Sequence, residues 1–145
     1  MEHNPSRRML ITALAGLSLA NVSLASAAAG NTNVQGSRIL VAYFSRSGNT
    51  RVIAGVIHRA LNTSLFEIEP ATPYPEDYFQ TVEQAKNERE RGVRPALKNS
   101  VTDISRYETV YLGFPDWGTS VPPVVQTFLS SHNLAGKLLI PFITP

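Results

Sequence analysis

Cysteine is absent from the 145 residues. Disulfides, thiol nucleophiles, iron–sulfur ligation and anchoring through a lipidated cysteine are therefore all excluded. Histidine is scarce at three residues; His58 and His132 have no partner at metal-ligand or triad spacing and read as structural. A surplus of charge of either sign is also missing. Thirteen Lys/Arg stand against eleven Asp/Glu, and beyond residue 27 the balance is eleven against ten, so basicity gives no argument for a nucleic-acid partner. Two phosphate-binding signatures are missing too: no Gly-x-x-x-x-Gly-Lys-Ser/Thr occurs, and no Gly-x-Gly-x-x-Gly follows a strand-like run. The apolar stretch Met9 to Ala20 is too short and too rich in Ala, Gly and Ser to span a bilayer.

What the first residues do contain is an address. Ser6-Arg7-Arg8-Met9-Leu10-Ile11 resembles a twin-arginine export signal, with Ala25-Ser26-Ala27, or Ala27-Ala28-Ala29, as a small-x-small cleavage site. Residues 1–27 are thus expected to be a signal peptide, leaving no stable membrane anchor on a periplasmic or secreted product. Residues 28–37 read as a polar linker and 38–145 as one domain.

The richest stretch is Ile39 to Thr50. Ile39-Leu40-Val41-Ala42-Tyr43-Phe44 is a continuous apolar run, the pattern of a strand buried on both faces of a parallel sheet. It stops at Ser45-Arg46-Ser47-Gly48-Asn49-Thr50, after which Val52, Ile53, Val56, Ile57 and Leu61 recur at helical spacing. A strand, a polar turn and a helix start make an anion site, because the first helical N–H groups lack partners and the helix dipole favours negative charge there. Ser45, Ser47 and Thr50 add three hydroxyls, each worth roughly 1.5–3 kcal/mol against a charged acceptor, or about 4–9 kcal/mol gross. Gly48 permits close approach or a positive φ. Arg46 and Arg51 either assist the anion or keep the turn solvated. The competing reading of the stretch is an ordinary βα turn with a Ser/Thr cap.

Further along, Leu65-Phe66-Glu67-Ile68-Glu69 alternates like a more exposed strand, with Glu67 and Glu69 facing solvent. Tyr74-Pro75-Glu76-Asp77-Tyr78 opens a polar helix reaching about Arg91, whose run Lys86 to Arg91 reads as a solvated face. Residues 92–106 read as loop, Thr109 to Phe114 as a third strand, Pro122-Pro123 as a helix start, and Lys137 to Ile143 as a fourth strand. Alternating strands and helices predict a three-layer α/β fold with a parallel sheet. In such folds ligands bind beyond the C-terminal strand ends at the switch point, so the turn at Ser45–Thr50 and the segment Pro115-Asp116-Trp117-Gly118 should open on one crevice. Trp117 offers an aromatic face, or else anchors its loop against a helix.

The residues Tyr43-Phe44-Ser45-Arg46-Ser47-Gly48-Asn49-Thr50 resemble the phosphate-binding loop of the flavodoxin-like proteins, Ser/Thr-x-Ser/Thr-Gly-x-Thr. Gly113-Phe114-Pro115-Asp116-Trp117-Gly118 resembles that family's Gly-Tyr-Pro-x-Trp-Trp-Gly, with Gly118 in the second Trp position. Tyr74 to Tyr78, Phe128-Leu129, and Leu134 through Thr144 extend the likeness over nearly all of 38–144. The resemblance implies FMN as cofactor, its phosphate held by Ser45, Arg46, Ser47, Gly48, Asn49 and Thr50. Its ring would lie against Pro115, Asp116, Trp117 and Gly118, met by N–H groups from Asp116 to Gly118 and by the hydroxyls of Thr119 and Ser120. It implies redox transfer, either as an electron carrier or as a reductase drawing on a nicotinamide or quinone, with donor and acceptor unspecified. The near-neutral charge resembles a reductase-like relative more than an acidic electron shuttle. No side chain is nominated as acid, base or nucleophile. The family's sheet order is 2-1-3-4-5, and this sequence offers no fifth strand or last helix, so the domain reads as C-terminally incomplete, with the fourth strand an apolar edge open to a strand-pairing partner. The alternative function is a flavodoxin-fold remnant or binding module without flavin.

Overall fold

The computed structural model describes residues 31–145; the expected export signal, its expected cleavage sites and the first residues read as linker lie outside the described part. The described chain runs β1 (Ile39–Tyr43), α1 (Asn49–Leu61), β2 (Ser64–Glu67), α2 (Tyr78–Arg91), a 3-10 turn at Ile104–Arg106, β3 (Thr109–Pro115), α3 (Pro123–Ser131) and β4 (Leu138–Thr144). Four strands pair in the order β2-β1-β3-β4, every neighbouring pair parallel. The predicted three-layer α/β sheet is present, with the order 2-1-3-4 among the described residues.

The apolar run of β1 is explained by its central place. Val41 and Tyr43 lie under α1 with Ala54 and Leu65, while Leu40, Ala42 and Phe44 join Phe66, Val110, Leu112, Val124, Val125 and Phe128 on the opposite face. A strand covered on both sides has no position left for a polar alternation. The expectation for β2 needs correction: Leu65 and Phe66 are adjacent, point to opposite faces, and are both buried. Their burial has a cause the sequence reading overlooked. Thr32 bridges antiparallel to Leu65, with N–H to O distances of 2.9 and 2.8 Å, and the Asn31 carboxamide oxygen accepts from the Glu67 N–H at 2.8 Å. Residues read as linker therefore lie along the outer edge of β2 and satisfy it, as edge strands require.

α1 begins at the uncapped Gly48 and ends in a left-handed Asn62. α2 is capped by Asp77, whose carboxylate accepts from the Gln80 N–H at 2.9 Å, and stops at Gly92. Pro122 and Pro123 occupy the start of α3, where no N–H is required. His132 is structural, as expected: its Nε2 accepts from the Val101 N–H at 3.0 Å and its Nδ1 donates to the Phe128 carbonyl at 2.9 Å, which fixes the Nδ1–H tautomer. His58 does the same locally by donating to the Thr63 carbonyl at 2.7 Å.

β4 forms the edge of the described sheet, and Leu138 and Ile143 are each more than 60% exposed. This edge has an internal interruption. The Leu138 N–H reaches the Glu108 carbonyl and the Thr144 carbonyl accepts from Asp116, so even-numbered residues of β4 turn their backbone to β3. Odd-numbered residues, Pro141 among them, then face outward. A proline there removes the central outward donor, which makes continuous pairing with another strand incomplete.

Candidate functional site

The turn after β1 and the turn after β3 emerge side by side because their strands are hydrogen-bonded neighbours in register, Tyr43 opposite Gly113. The Phe44 N–H donates to the Gly113 carbonyl at 2.9 Å and continues the pairing to the edge of the site. In the first turn Ser45 folds back on itself: its Oγ accepts from the N–H of Gly48 at 3.1 Å and of Arg51 at 3.3 Å. Gly48 has φ of +102°, so the turn geometry, not crowding, demands glycine. Gly48 supplies no side-chain cap, and the first turn of α1 contains no acidic residue. Among the described residues, nothing accepts from the N–H groups of Ser47, Asn49 and Thr50. An α-helix start left this way favours an anion.

The other polar groups of the loop are partly committed. Arg46 donates to the Glu76 carbonyl at 3.3 Å and lies 5.3 Å from the centre of the Tyr78 ring, so it ties the loop to the start of α2. Arg51 pairs with Glu67, whose side chain is only 12% exposed. Glu67 is thus not the solvent-facing residue its alternation suggested. Ser47 and Asn49 are exposed, and Thr50 is buried, with its Oγ1 2.7 Å from Oγ1 of Thr144.

In the second turn the Asp116 carboxylate accepts from the Thr119 N–H at 2.9 Å, across Gly118 and Thr119 in left-handed conformations. The family's second Trp position is therefore a backbone site that disfavours any side chain, and a Cβ there would meet the Arg89 guanidinium at 3.4 Å. The Asp116 N–H is taken by the Thr144 carbonyl at 3.0 Å and the Thr119 hydroxyl donates to the Gly118 carbonyl at 2.7 Å, which removes both from the expected ring donors. The N–H groups of Trp117 and Gly118 and the Ser120 hydroxyl are left among the expected ring donors. Trp117 packs edge-on against Phe44 and Tyr74, each with ring centres 5.1 Å apart, and Pro115 ends β3 beside it. Its anchor is the 70–75 segment and β1, and its carbonyl accepts from Arg89 at 3.2 Å.

Glu88 and Arg89, read as part of a solvated face, in fact turn inward, because Glu88 also accepts from the Tyr74 hydroxyl at 2.9 Å. Burial first, and the Glu88 carboxylate second, push the Tyr74 phenol far above its ordinary value, so it stays a protonated donor. A cleft of about 270 Å³ opens between Ser45, Arg46, Arg51, Glu67 and Tyr74. A larger groove, about 690 Å³, runs along α2 past Phe79, Glu83 and Val93, with no residue of either turn in its lining. Among the described residues there is no cluster of three metal-ligating side chains, and no helix is long and apolar enough to cross a membrane.

Behind the loop, the Tyr43 hydroxyl is fully buried with no hydrogen-bond partner. Desolvation, then the nearby Glu67 carboxylate, raise its pKa. An unpartnered buried hydroxyl costs about 1–3 kcal/mol. Tyr43→Phe is therefore expected to raise stability by about 1 kcal/mol, measured by urea unfolding. A phenol whose folded pKa lies above its unfolded value supports folding fully below about pH 10 and loses that support as pH climbs through the folded value. The variant should accordingly show a shallower stability loss above about pH 10; an unchanged alkaline slope would contradict the assignment.

An open parallel α/β sheet with an uncapped, acid-free βα turn at its switch point is the class of domain that binds nucleotides. The flavodoxin family's sequence pattern matches residues 38–145, and the chain belongs to that family. No curated protein matches it significantly. Among solved structures it is similar to a flavoprotein candidate from Bacteroides uniformis ATCC 8492, with 34% identity and a TM-score of 0.67 over 75% of this chain and 72% of that one. A second, from Bacteroides eggerthii DSM 20697, has 35% identity and a TM-score of 0.68, covering 74% and 70% of the two chains. A flavoprotein from Lactobacillus acidophilus NCFM, solved in complex with FMN, shares the fold at 20% identity, with a TM-score of 0.66 and 74% of each chain covered.

The turn residues were legible in the sequence. Thr144, which touches both turns, was not, because its role depends on β4 docking beside β3. Tyr74 stood inside a segment that carries the family likeness, but its hydrogen bond to Glu88 was not foreseeable from spacing.

Proposed function

We propose that the chain is an exported FMN-binding flavodoxin whose activity is redox transfer through the flavin. The observation that carries the reading is the start of α1: free of acidic residues, with the N–H groups of Ser47, Asn49 and Thr50 vacant and the Ser47 hydroxyl open to solvent. That donor set suits a phosphate monoester. Ser47, Gly48, Asn49 and Thr50 would hold the phosphate, with Ser45 shaping the turn. Arg46 would fasten the turn to α2 and contribute positive charge. Pro115, Asp116, Trp117 and Gly118 would border the ring. Bound FMN would supply one- or two-electron transfer; this chain's residues bind and orient it and set its polarity. Trp117 and Tyr74 would exclude water from one side, and Tyr74, held protonated, would add no negative charge of its own.

Export rests on Arg7-Arg8, the apolar residues after them and the Ala25-Ser26-Ala27 site. A route that carries folded proteins suits a domain that must acquire a non-covalent cofactor before leaving the cytoplasm. The opposing reading, a flavin-free module, draws on the internal commitments of Thr50, Ser45 and Trp117.

One experiment tests both halves. The full chain, expressed in a bacterium with a twin-arginine route, is expected in the periplasm, shortened after Ala27 or Ala29, yellow, and releasing FMN on denaturation. Cytoplasmic, uncleaved protein would count against export alone. Folded protein that is colourless and leaves added FMN fluorescence unquenched would overturn the flavin reading.

A further inference from the structure

We infer that Thr144 is a positioning residue for phosphate, acting through Thr50; the inference rests on the FMN reading above. Thr50 is 2% exposed and Thr144 7%, and their hydroxyl oxygens are 2.7 Å apart. Each hydroxyl owns one hydrogen and two acceptor positions. If Thr50 donates to Thr144, its only hydrogen is spent and it has nothing to offer an anion. If Thr144 donates to Thr50, the Thr50 hydrogen is free to join the vacant N–H groups of its own helix turn as a further donor. A negative charge at the start of α1 selects the second arrangement, and the two hydroxyls then polarise each other in sequence toward the anion. In the absence of Thr144, Thr50 would keep a hydroxyl but lose the donor that strengthens it.

The same residue reaches the other turn by a different group. The Thr144 carbonyl accepts from the Asp116 N–H at 3.0 Å. Its side chain therefore serves the phosphate turn and its main chain serves the ring turn. Substitution of the side chain alone separates them, because every substituted residue keeps the carbonyl.

The test compares FMN with riboflavin, which has the same ring and no phosphate, by fluorescence quenching on the full chain. Wild-type protein is expected to bind FMN more tightly than riboflavin. Thr144→Val should weaken FMN binding roughly tenfold while riboflavin affinity is unchanged, and Thr144→Ser should restore FMN binding to near wild type. Thr144→Ala, with no added methyl group to misfit, should reproduce the valine result if the valine variant melts early. Equal weakening of both ligands would mean that Thr144 only supports the fold. Unchanged FMN affinity in Thr144→Val or Thr144→Ala, with wild type binding FMN normally, would overturn the inference while leaving the cofactor intact. Wild-type protein indifferent to FMN would overturn both.

Discussion

Asn49→Asp is expected to move fold stability and FMN affinity in opposite directions. Asn49 is the first residue of α1, is exposed, and sits in a helix turn with no acidic side chain. A carboxylate at that position complements the helix dipole and should add about 0.3–1 kcal/mol to stability. The same carboxylate opposes a phosphate. A unit charge about 5 Å from a doubly charged group costs about 2–3 kcal/mol at an effective dielectric of about 40–80, which is a thirty- to hundredfold loss of affinity on the scale of about 1.4 kcal/mol per decade. The substitution changes almost no volume, so steric damage does not compete as an explanation. Riboflavin binding should hold, and the FMN defect should ease near pH 4 as the new carboxylate protonates. Thermal unfolding and flavin titration on one preparation give both readings. A more stable variant with undiminished FMN affinity would remove the phosphate from the start of α1.

A residue that would serve the helix best was passed over at Asn49, and the omission can be seen in the sequence because strand, turn and helix start are contiguous. Local order is what Ile39 to Leu61 encodes: an unbroken apolar run, a glycine at positive φ and a helical period, each recognisable without neighbours. The starts of α2 and α3 were legible for the same reason, through Asp77 and the Pro122-Pro123 pair. The juxtaposition of the two turns followed from the parallel sheet, but the side-chain contacts between distant segments did not. Glu67 looked exposed because its alternation gives no hint that Arg51, one helix turn into α1, will cover it. Glu88 and Arg89 looked solvated because a charged run fits a wet helix face, and only the docking of α2 beside the 70–75 and 115–120 segments draws them in. Residues 31–34 looked like tether because polar composition cannot reveal an edge waiting to be paired. The candidate site divides in the same way: its turn is local, while its bracing, through Thr144, Tyr74 and Arg46, is tertiary.

Gly113→Ala tests that bracing from within the β3–β4 pair, on the face that also carries Thr144. Gly113 lies opposite Phe142 in the β3–β4 register, and the Phe142 ring occupies the space a Cβ would need. Gly113 has no positive φ, so alanine meets no backbone penalty and the cost is purely one of packing. The ring must be driven off the β3 surface or the strands must part; overpacking of this kind costs about 1–3 kcal/mol, which lowers the midpoint of thermal unfolding by roughly 3–15 °C for a domain of this size. Phe142→Leu in the same chain should recover part of the loss, because the two substitutions share one volume and will not add. The effect should also reach the site. Phe142 is two residues before Thr144 on the same face of β4, so displacing the ring shifts the strand end that holds Asp116 and meets Thr50. FMN and riboflavin affinities should therefore fall together in Gly113→Ala, unlike the FMN-selective defect expected from removing the Thr144 hydroxyl. A variant that melts earlier yet binds both flavins normally would show that the end of β4 is held independently of the β3 packing beneath it.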